Sequence, residues 1–282
     1  MIKFGASILS WILPDWKAKE GAYAIEKTAA VGFDLLEILL PPSREIESQT
    51  VLRQLQDHGI TAVCSYNLPA KSHIPTYPDQ ALSDIKWALD KAKELNSPIL
   101  AGVLHSGIGV FSGAVKTADE QKTVVKVLAA AADHAAQLGI TICIEPINRY
   151  ESYVCNVAKD VLQLIEQVGS ESLAVHLDTF HMNIEEQNFV DPILASGQHL
   201  KHLHITESNR GMPGEGNVRW DDLFKALKSI NYQGALVLEN FSSSIPGMSE
   251  RVNLWQPSNH DADELAKGSL AFIKEKALQY DL

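Results

Sequence analysis

Leu138-Gly139-Ile140-Thr141-Ile142-Cys143-Ile144-Glu145 carries three signals in one short stretch. An amphipathic segment ends on glycine, a run of apolar and β-branched residues follows, and a carboxylate closes it. Glycine takes the left-handed conformation just past a helix without a Cβ clash, so it stops the helix before the next strand. The same pattern recurs at Val31-Gly32-Phe33-Asp34, His58-Gly59-Ile60-Thr61 and Gln233-Gly234-Ala235, and Asn96 with Pro98 behind it can serve once more. Strands counted by this mark number eight, at about 2–8, 34–39, 60–65, 98–104, 140–145, 173–178, 201–205 and 235–239. Helical patterns separate them at about 18–31, 43–57, 80–95, 117–138, 158–168, 190–197 and 220–230, and a last helix is expected at about 263–279. Thr117 and Glu120 have the spacing of a capping box at the start of the longest one.

Strands alternating with helices imply a parallel sheet with helical crossovers. No Pro/Gly/Ser-rich linker divides the chain, so residues 1–282 are expected to form a single α/β domain, a (β/α)8 TIM barrel. The strand ends argue for closure. Glu145, Asp178, His204 and Glu239 end four consecutive strands, each one βα unit from the next. An open sheet would spread them over about 15 Å, at about 4.8 Å per strand. A barrel gathers strand ends on one face, where they become a single coordination sphere. Three carboxylates and one imidazole suit one divalent ion, Mn²⁺ or Co²⁺ first and Mg²⁺ after them.

Composition narrows the classes further. A chain of 282 residues with 45% hydrophobic and 21% charged residues can bury a large core without staples. The net charge of −11 disfavours a sequence-independent grip on nucleic acid. No apolar run approaches the roughly 18 residues a membrane span needs, and Met1-Ile2-Lys3-Phe4-Gly5 lacks the apolar region of a secretory signal. Cys64, Cys143 and Cys155 show no CxxC spacing and are odd in number, which fits a reducing compartment. The expectation is a cytoplasmic protein.

The wording around the four strand ends is specific. Ile144-Glu145-Pro146-Ile147-Asn148-Arg149-Tyr150-Glu151, His176-Leu177-Asp178-Thr179-Phe180-His181-Met182-Asn183-Ile184-Glu185-Glu186 and His202-Leu203-His204-Ile205-Thr206-Glu207-Ser208-Asn209-Arg210 resemble the ketose 3-epimerases, of which D-tagatose and D-psicose 3-epimerase are typical. These belong to the xylose isomerase-like TIM-barrel superfamily. The resemblance is strongest from about 140 to 239, and the first half matches mainly in architecture. It implies a metal-dependent isomerase that inverts C3 of a free ketose. Glu145, Asp178, His204 and Glu239 would be the metal ligands, and Glu151, His181 and Arg210 would hold substrate hydroxyls. It also implies a homodimer or homotetramer.

Epimerisation beside a ketone removes a proton from one face and returns one to the other. Glu145 and Glu239 are the expected acid–base pair, acting through a cis-enediolate that the metal stabilises. Of the remaining polar residues, His176 and His202 share the inward parity of Asp178 and His204 and are expected to be hydrogen-bonded one layer deeper. By the same parity Cys143 fills the barrel. Glu37 and His105 end strands two and four, facing the site without an assigned role. Trp11 and Trp16 are placed on an apolar wall of the pocket, Tyr150 and Phe180 in loop packing, and Glu185-Glu186 in solvent.

Three departures from the family pattern bear on the substrate. Asn240 stands where proline often follows the last glutamate, Gln256 where an arginine often follows the tryptophan, and Ser7 where an aromatic often lines the sugar pocket. Ser242-Ser243-Ser244 lies in a loop that binds phosphate in many barrels, which keeps a sugar phosphate as second reading. Further rivals are an aldose–ketose isomerase or inosose-type dehydratase on the same metal site, an apurinic endonuclease, and a non-catalytic sugar-binding barrel.

Overall fold

The computed structural model describes residues 2–282; Met1, which opens both the expected domain and the N-terminal stretch read above, lies outside them. Eight parallel strands close into a barrel in sequence order, with β1 pairing both β2 and β8. They are β1 (Lys3–Ser7), β2 (Leu35–Leu39), β3 (Thr61–Ser65), β4 (Ile99–Gly102), β5 (Thr141–Ile144), β6 (Leu173–Asp178), β7 (Leu200–Ile205) and β8 (Ala235–Leu238). Around them run α1 (Ala18–Val31), α2 (Ser48–Asp57), α3 (Pro78–Glu94), α4 (Ala118–Leu138), α5 (Ala158–Val168), α6 (Thr179–Glu185), α7 (Asp191–Ser196), α8 (Trp220–Ser229), α9 (Met248–Arg251) and α10 (Ala262–Gln279).

The expected helix stops are real at four places. Gly32, Gly59, Gly139 and Asn96 all have positive φ, and Gly169 adds a fifth after α5. Gln233-Gly234-Ala235 is a correction: after α8 it is Asn231 that takes the left-handed conformation. Gly234 answers a different need, because a Cβ there would lie 2.4 Å from the Lys201 carbonyl oxygen. The capping box on α4 forms in both directions, with the Glu120 N–H donating to Thr117 Oγ1 and the Thr117 N–H to Glu120 Oε2. The helix expected from 43 begins only at Ser48, after a turn in which Arg44 adopts positive φ. The short helices α6 and α9 were not expected at all.

Inside the barrel, side chains from alternate positions fill it in layers. Its lower layers are apolar and small: Leu35, Val63 and Val237 form one cluster, and Ala101, Cys143 and Ala174 another. Gly5 leaves room for Leu35, whose Cδ1 would lie 2.2 Å from a Cβ at that position. The main core fills the space between barrel and helices. Two residues further along the inward-facing rows, apolar filling gives way to histidines and carboxylates, and there the site lies.

Candidate active site

Because side chains alternate along a strand, Glu145, Asp178, His204 and Glu239 continue the inward rows that begin with Cys143, Ala174, His202 and Val237. His204 Nδ1 lies 3.6 Å from Asp178 Oδ2, 3.7 Å from Glu239 Oε1 and 4.0 Å from Glu145 Oε1. Closure thus brings four strand ends round one point. Glu145, Asp178 and His204 form a trio whose ligand atoms all lie within 4.8 Å of one another, while Glu239 turns its other oxygen to the Arg210 guanidinium.

The group has the electrostatics of an ion site. His204 Nδ1 and Asp178 Oδ2 are buried and have no hydrogen-bond partner among the described residues. An orphaned buried polar atom costs about 1–3 kcal/mol. Burial pushes the Glu145 carboxyl well above the usual carboxylate range, and the charges of Asp178 and Glu239 add to it. Burial also raises Glu239, against the pull of Arg210 and His204. Although burial opposes both shifts, Asp178 is held low by His204 and Arg210, and the His204 imidazole is driven well up by Glu37 and Glu239. Clustered carboxylates call for positive charge at this point. A divalent cation fits the donor set and the orphaned atoms alike.

Glu37 supplies what orients the imidazole. It is 1% exposed, accepts from Ser65 Oγ at 3.0 Å, and faces His202 Nε2 at 2.5 Å and His204 Nε2 at 2.9 Å. With Nε2 held by a carboxylate, His204 turns Nδ1 to the centre, the orientation that metal-binding histidines use. Burial works against the Glu37 charge, yet the two histidines keep its carboxyl well below the usual range. Its place at the end of strand two put Glu37 at the site; its partners, on a strand 165 and 167 residues away, had no signal in the sequence. His105, likewise without an assigned role, bonds the Glu145 carbonyl through Nε2 at 3.0 Å and so fixes the end of β5.

The three expected substrate residues gather beside this centre to different degrees. His181 is buried, which lowers its imidazole to about 4 and keeps it neutral. Its Nδ1 accepts the Asn148 backbone N–H at 3.1 Å, so the proton sits on Nε2, 3.8 Å from Glu145 Oε1. Arg210 has φ of 62° and lies between the rings of Phe180 and Phe241, at 4.0 and 4.7 Å. Its loop hangs on buried Glu207, which accepts from the N–H groups of Ser208, Gly214 and Val218 and from Trp220 Nε1. Glu151 stands one residue further out and reaches His181 through the Asn148 amide.

Several expectations are corrected. Trp11 donates to Thr28 Oγ1 and Trp16 packs on Gly21, so both seal α1 rather than wall the pocket. Tyr150 is 75% exposed and packs little, whereas Phe180 packs on Arg210. Glu185 is not solvated: it accepts from the backbone and guanidinium of Arg149, and Glu186 accepts from the Ala158 N–H. His202 is hydrogen-bonded as expected, but neither ring nitrogen of His176 has a partner among the described residues. Its Nδ1 lies 3.6 Å from Glu145 Oε2.

Residues 25–276 match the family model described as xylose isomerase-like TIM barrel. A ketose 3-epimerase of Arthrobacter globiformis is 34% identical, with 98% of this chain and 96% of the relative covered. An L-ribulose 3-epimerase of Methylomonas sp. is also 34% identical, with 98% of each covered. A crystal structure of D-allulose 3-epimerase from Methylomonas sp. in complex with D-allulose superposes with a TM-score of 0.92 at 33% identity, over 98% of this chain and 97% of that one. The chain belongs to the xylose isomerase-like TIM-barrel family. Within that family its place is among the ketose 3-epimerases, and it is a carbohydrate isomerase.

Proposed function

We propose that this enzyme inverts C3 of a free ketose with the help of one divalent cation, using Glu145 and Glu239 as the two proton carriers. The observation that carries this reading is the pair of carboxylates, Glu145 buried and Glu239 partly so, set on different strands about the same His204 nitrogen. Two carboxylates on different strands can approach a bound sugar from different sides, as removal of a proton from one face and its return to the other require. Similarity to relatives named for D-psicose, L-ribulose and other ketoses supports the substrate class.

Glu145, Asp178, His204 and Glu239 would hold the ion, with Mn²⁺ or Co²⁺ preferred and Mg²⁺ a weaker fit. When bound, it supplies Lewis-acid stabilisation of the charge that develops on the sugar oxygens. One glutamate removes the C3 proton from its face, which flattens C2–C3 into a cis-enediolate. The other returns a proton from the opposite face; which acts first follows from the epimer bound. The Nε2–H of His181 is aimed beside Glu145, where it donates to the oxygen gaining charge at C2. Arg210 keeps Glu239 oriented and stays protonated throughout. Glu151 completes the substrate contacts at the rim.

A sugar phosphate is the less supported reading. The three serine hydroxyls close their own loop: Ser242 donates to the His260 carbonyl, Ser243 accepts from the Ser258 N–H, and Ser244 accepts from the Ala262 N–H. The decisive experiment follows free D-psicose with Mn²⁺ by NMR. Inversion at C3 is expected, and Glu145→Gln and Glu239→Gln each lower kcat by about 10³-fold. Aldose as the sole product, or full turnover in either variant, would overturn the assignment.

A further inference from the structure

Residues 206–219 join β7 to α8 without helix or strand, yet they carry Arg210, whose guanidinium reaches Glu239 and lies 3.7 Å from Asp178 Oδ2. A segment with no regular backbone ladder holds a side chain steady only if something organises it from within. Glu207 is that something. It is fully buried, and its two oxygens share four donors. Oε1 accepts the N–H groups of Ser208 at 2.8 Å and Val218 at 3.0 Å. Oε2 accepts the Gly214 N–H at 2.9 Å and the Trp220 Nε1–H at 3.0 Å. A carboxylate offers about four acceptor sites, and here all are taken. None is left for a sugar or an ion, so Glu207 acts through its loop.

The loop's glycines answer to that carboxylate. Gly216 has no positive φ to explain it, but a Cβ there would lie 2.4 Å from Glu207 Oε1 and 2.6 Å from Ser208 Oγ. Gly214, at φ of 94°, brings its N–H to Oε2. The turn-rich run Gly211-Met212-Pro213-Gly214-Glu215-Gly216 is thus wound about a buried anion rather than left loose.

The same winding takes Arg210 through φ of 62°, a conformation that residues with a side chain seldom adopt. Its N–H donates to the Glu207 carbonyl at 2.8 Å, and its own carbonyl accepts the Phe241 N–H at 2.9 Å. Arg210 is therefore tied to Glu207 by main chain, and through the loop by side chain.

We propose that Glu207 is a positioning residue for the reaction, its saturated carboxylate winding the β7–α8 loop so that Arg210 meets Glu239 in the orientation proton transfer needs. The inference rests on the reading of Glu239 as a proton carrier. Glu207→Gln keeps the shape of the side chain but sets an amide NH₂ against two of the four N–H donors. The loop then loosens and the guanidinium drifts. A displacement of about 1 Å at a reacting group costs about 10²-fold in rate.

The test compares kcat for a free ketose at saturating Mn²⁺ in the wild type, Glu207→Gln, Gly216→Ala, Arg210→Ala and the Glu207→Gln/Arg210→Ala double variant, with melting curves for each. Glu207→Gln is expected to lower kcat by about 10²-fold. Gly216→Ala, on the surface, should push the carboxylate aside and lower kcat in the same direction without opening a cavity. It decides alone if the glutamine variant does not fold. In the Arg210→Ala background Glu207→Gln should cost less than about twofold, because the group it places is gone. The same factor in both backgrounds marks a merely structural role and overturns the proposal, as does wild-type kcat in the folded single variants. Hydrogen exchange over residues 208–218, read without sugar, should be slow in the wild type and faster in Gly216→Ala. Fast exchange in the wild type overturns the hub itself. If the wild type inverts no ketose, the epimerase reading fails instead, and exchange alone then decides whether Glu207 winds the loop.

Discussion

At the scale of single residues, the centre depends on a carboxylate outside the expected ligand set. Glu37 bonds two imidazoles through Nε2 and so decides that His204 offers Nδ1. Removing its charge should free both rings to change tautomer. Glu37→Gln is expected to weaken Mn²⁺ binding by about 10–100-fold, as read by calorimetry, with the helix content unchanged. Unaltered affinity would mean that packing alone orients the ring. The four strand-end residues were legible in the sequence because period-two alternation and βα spacing put each at a barrel mouth. Glu37's partnership was not, since a bond across 165 residues leaves no trace in local pattern. The misplacement of Trp11 and Trp16 has a similar cause: an aromatic near a strand end reads the same whether it faces sugar or helix, and only the packing on Gly21 and the bond to Thr28 separate the two.

At the scale of elements, the sequence marks were reliable where one residue's conformation does the work. Gly32, Gly59, Gly139 and Asn96 stop helices by positive φ, a property of the residue itself. Gly234 looked the same and acts differently, because its need for a missing side chain comes from β7, not from its own backbone angle. Gly234→Ala should push the Lys201 carbonyl and the Tyr232 hydroxyl away from positions 2.4 Å from the new Cβ. The expected cost is about 2 kcal/mol or more by urea denaturation. Asn231→Gly, at the true helix stop, should stay within about 0.5 kcal/mol. If both changes prove equally mild, the close approach is not what selects glycine. The helix α6 went unseen because it begins on Thr179, directly after Asp178, so its residues were read as site wording rather than as a turn of helix.

At the scale of the whole molecule, the barrel gathers negative charge at one end. The chain already carries −11, and Glu37, Glu145, Asp178 and Glu239 concentrate four acidic groups about His204. Without a cation these groups repel one another in a low-dielectric interior. Ligand binding to the native state alone stabilises it by mass action. Exhaustive chelation should therefore lower Tm as well as abolish turnover, and added Mn²⁺ should restore both, with the rise in Tm growing with its concentration. An apparent Tm indifferent to chelator would show that the centre holds no ion in solution.

Glu37 has one more consequence, which belongs to assembly rather than chemistry. It rises from the second strand and grips the seventh, so it acts as a tie-bar across the lumen. The seventh strand's histidine is aimed only after the second strand has come to rest across the lumen from it. Ion capture would therefore report that the ring of strands has locked shut, because a half-built barrel would have no competent trap with which to sequester a cation.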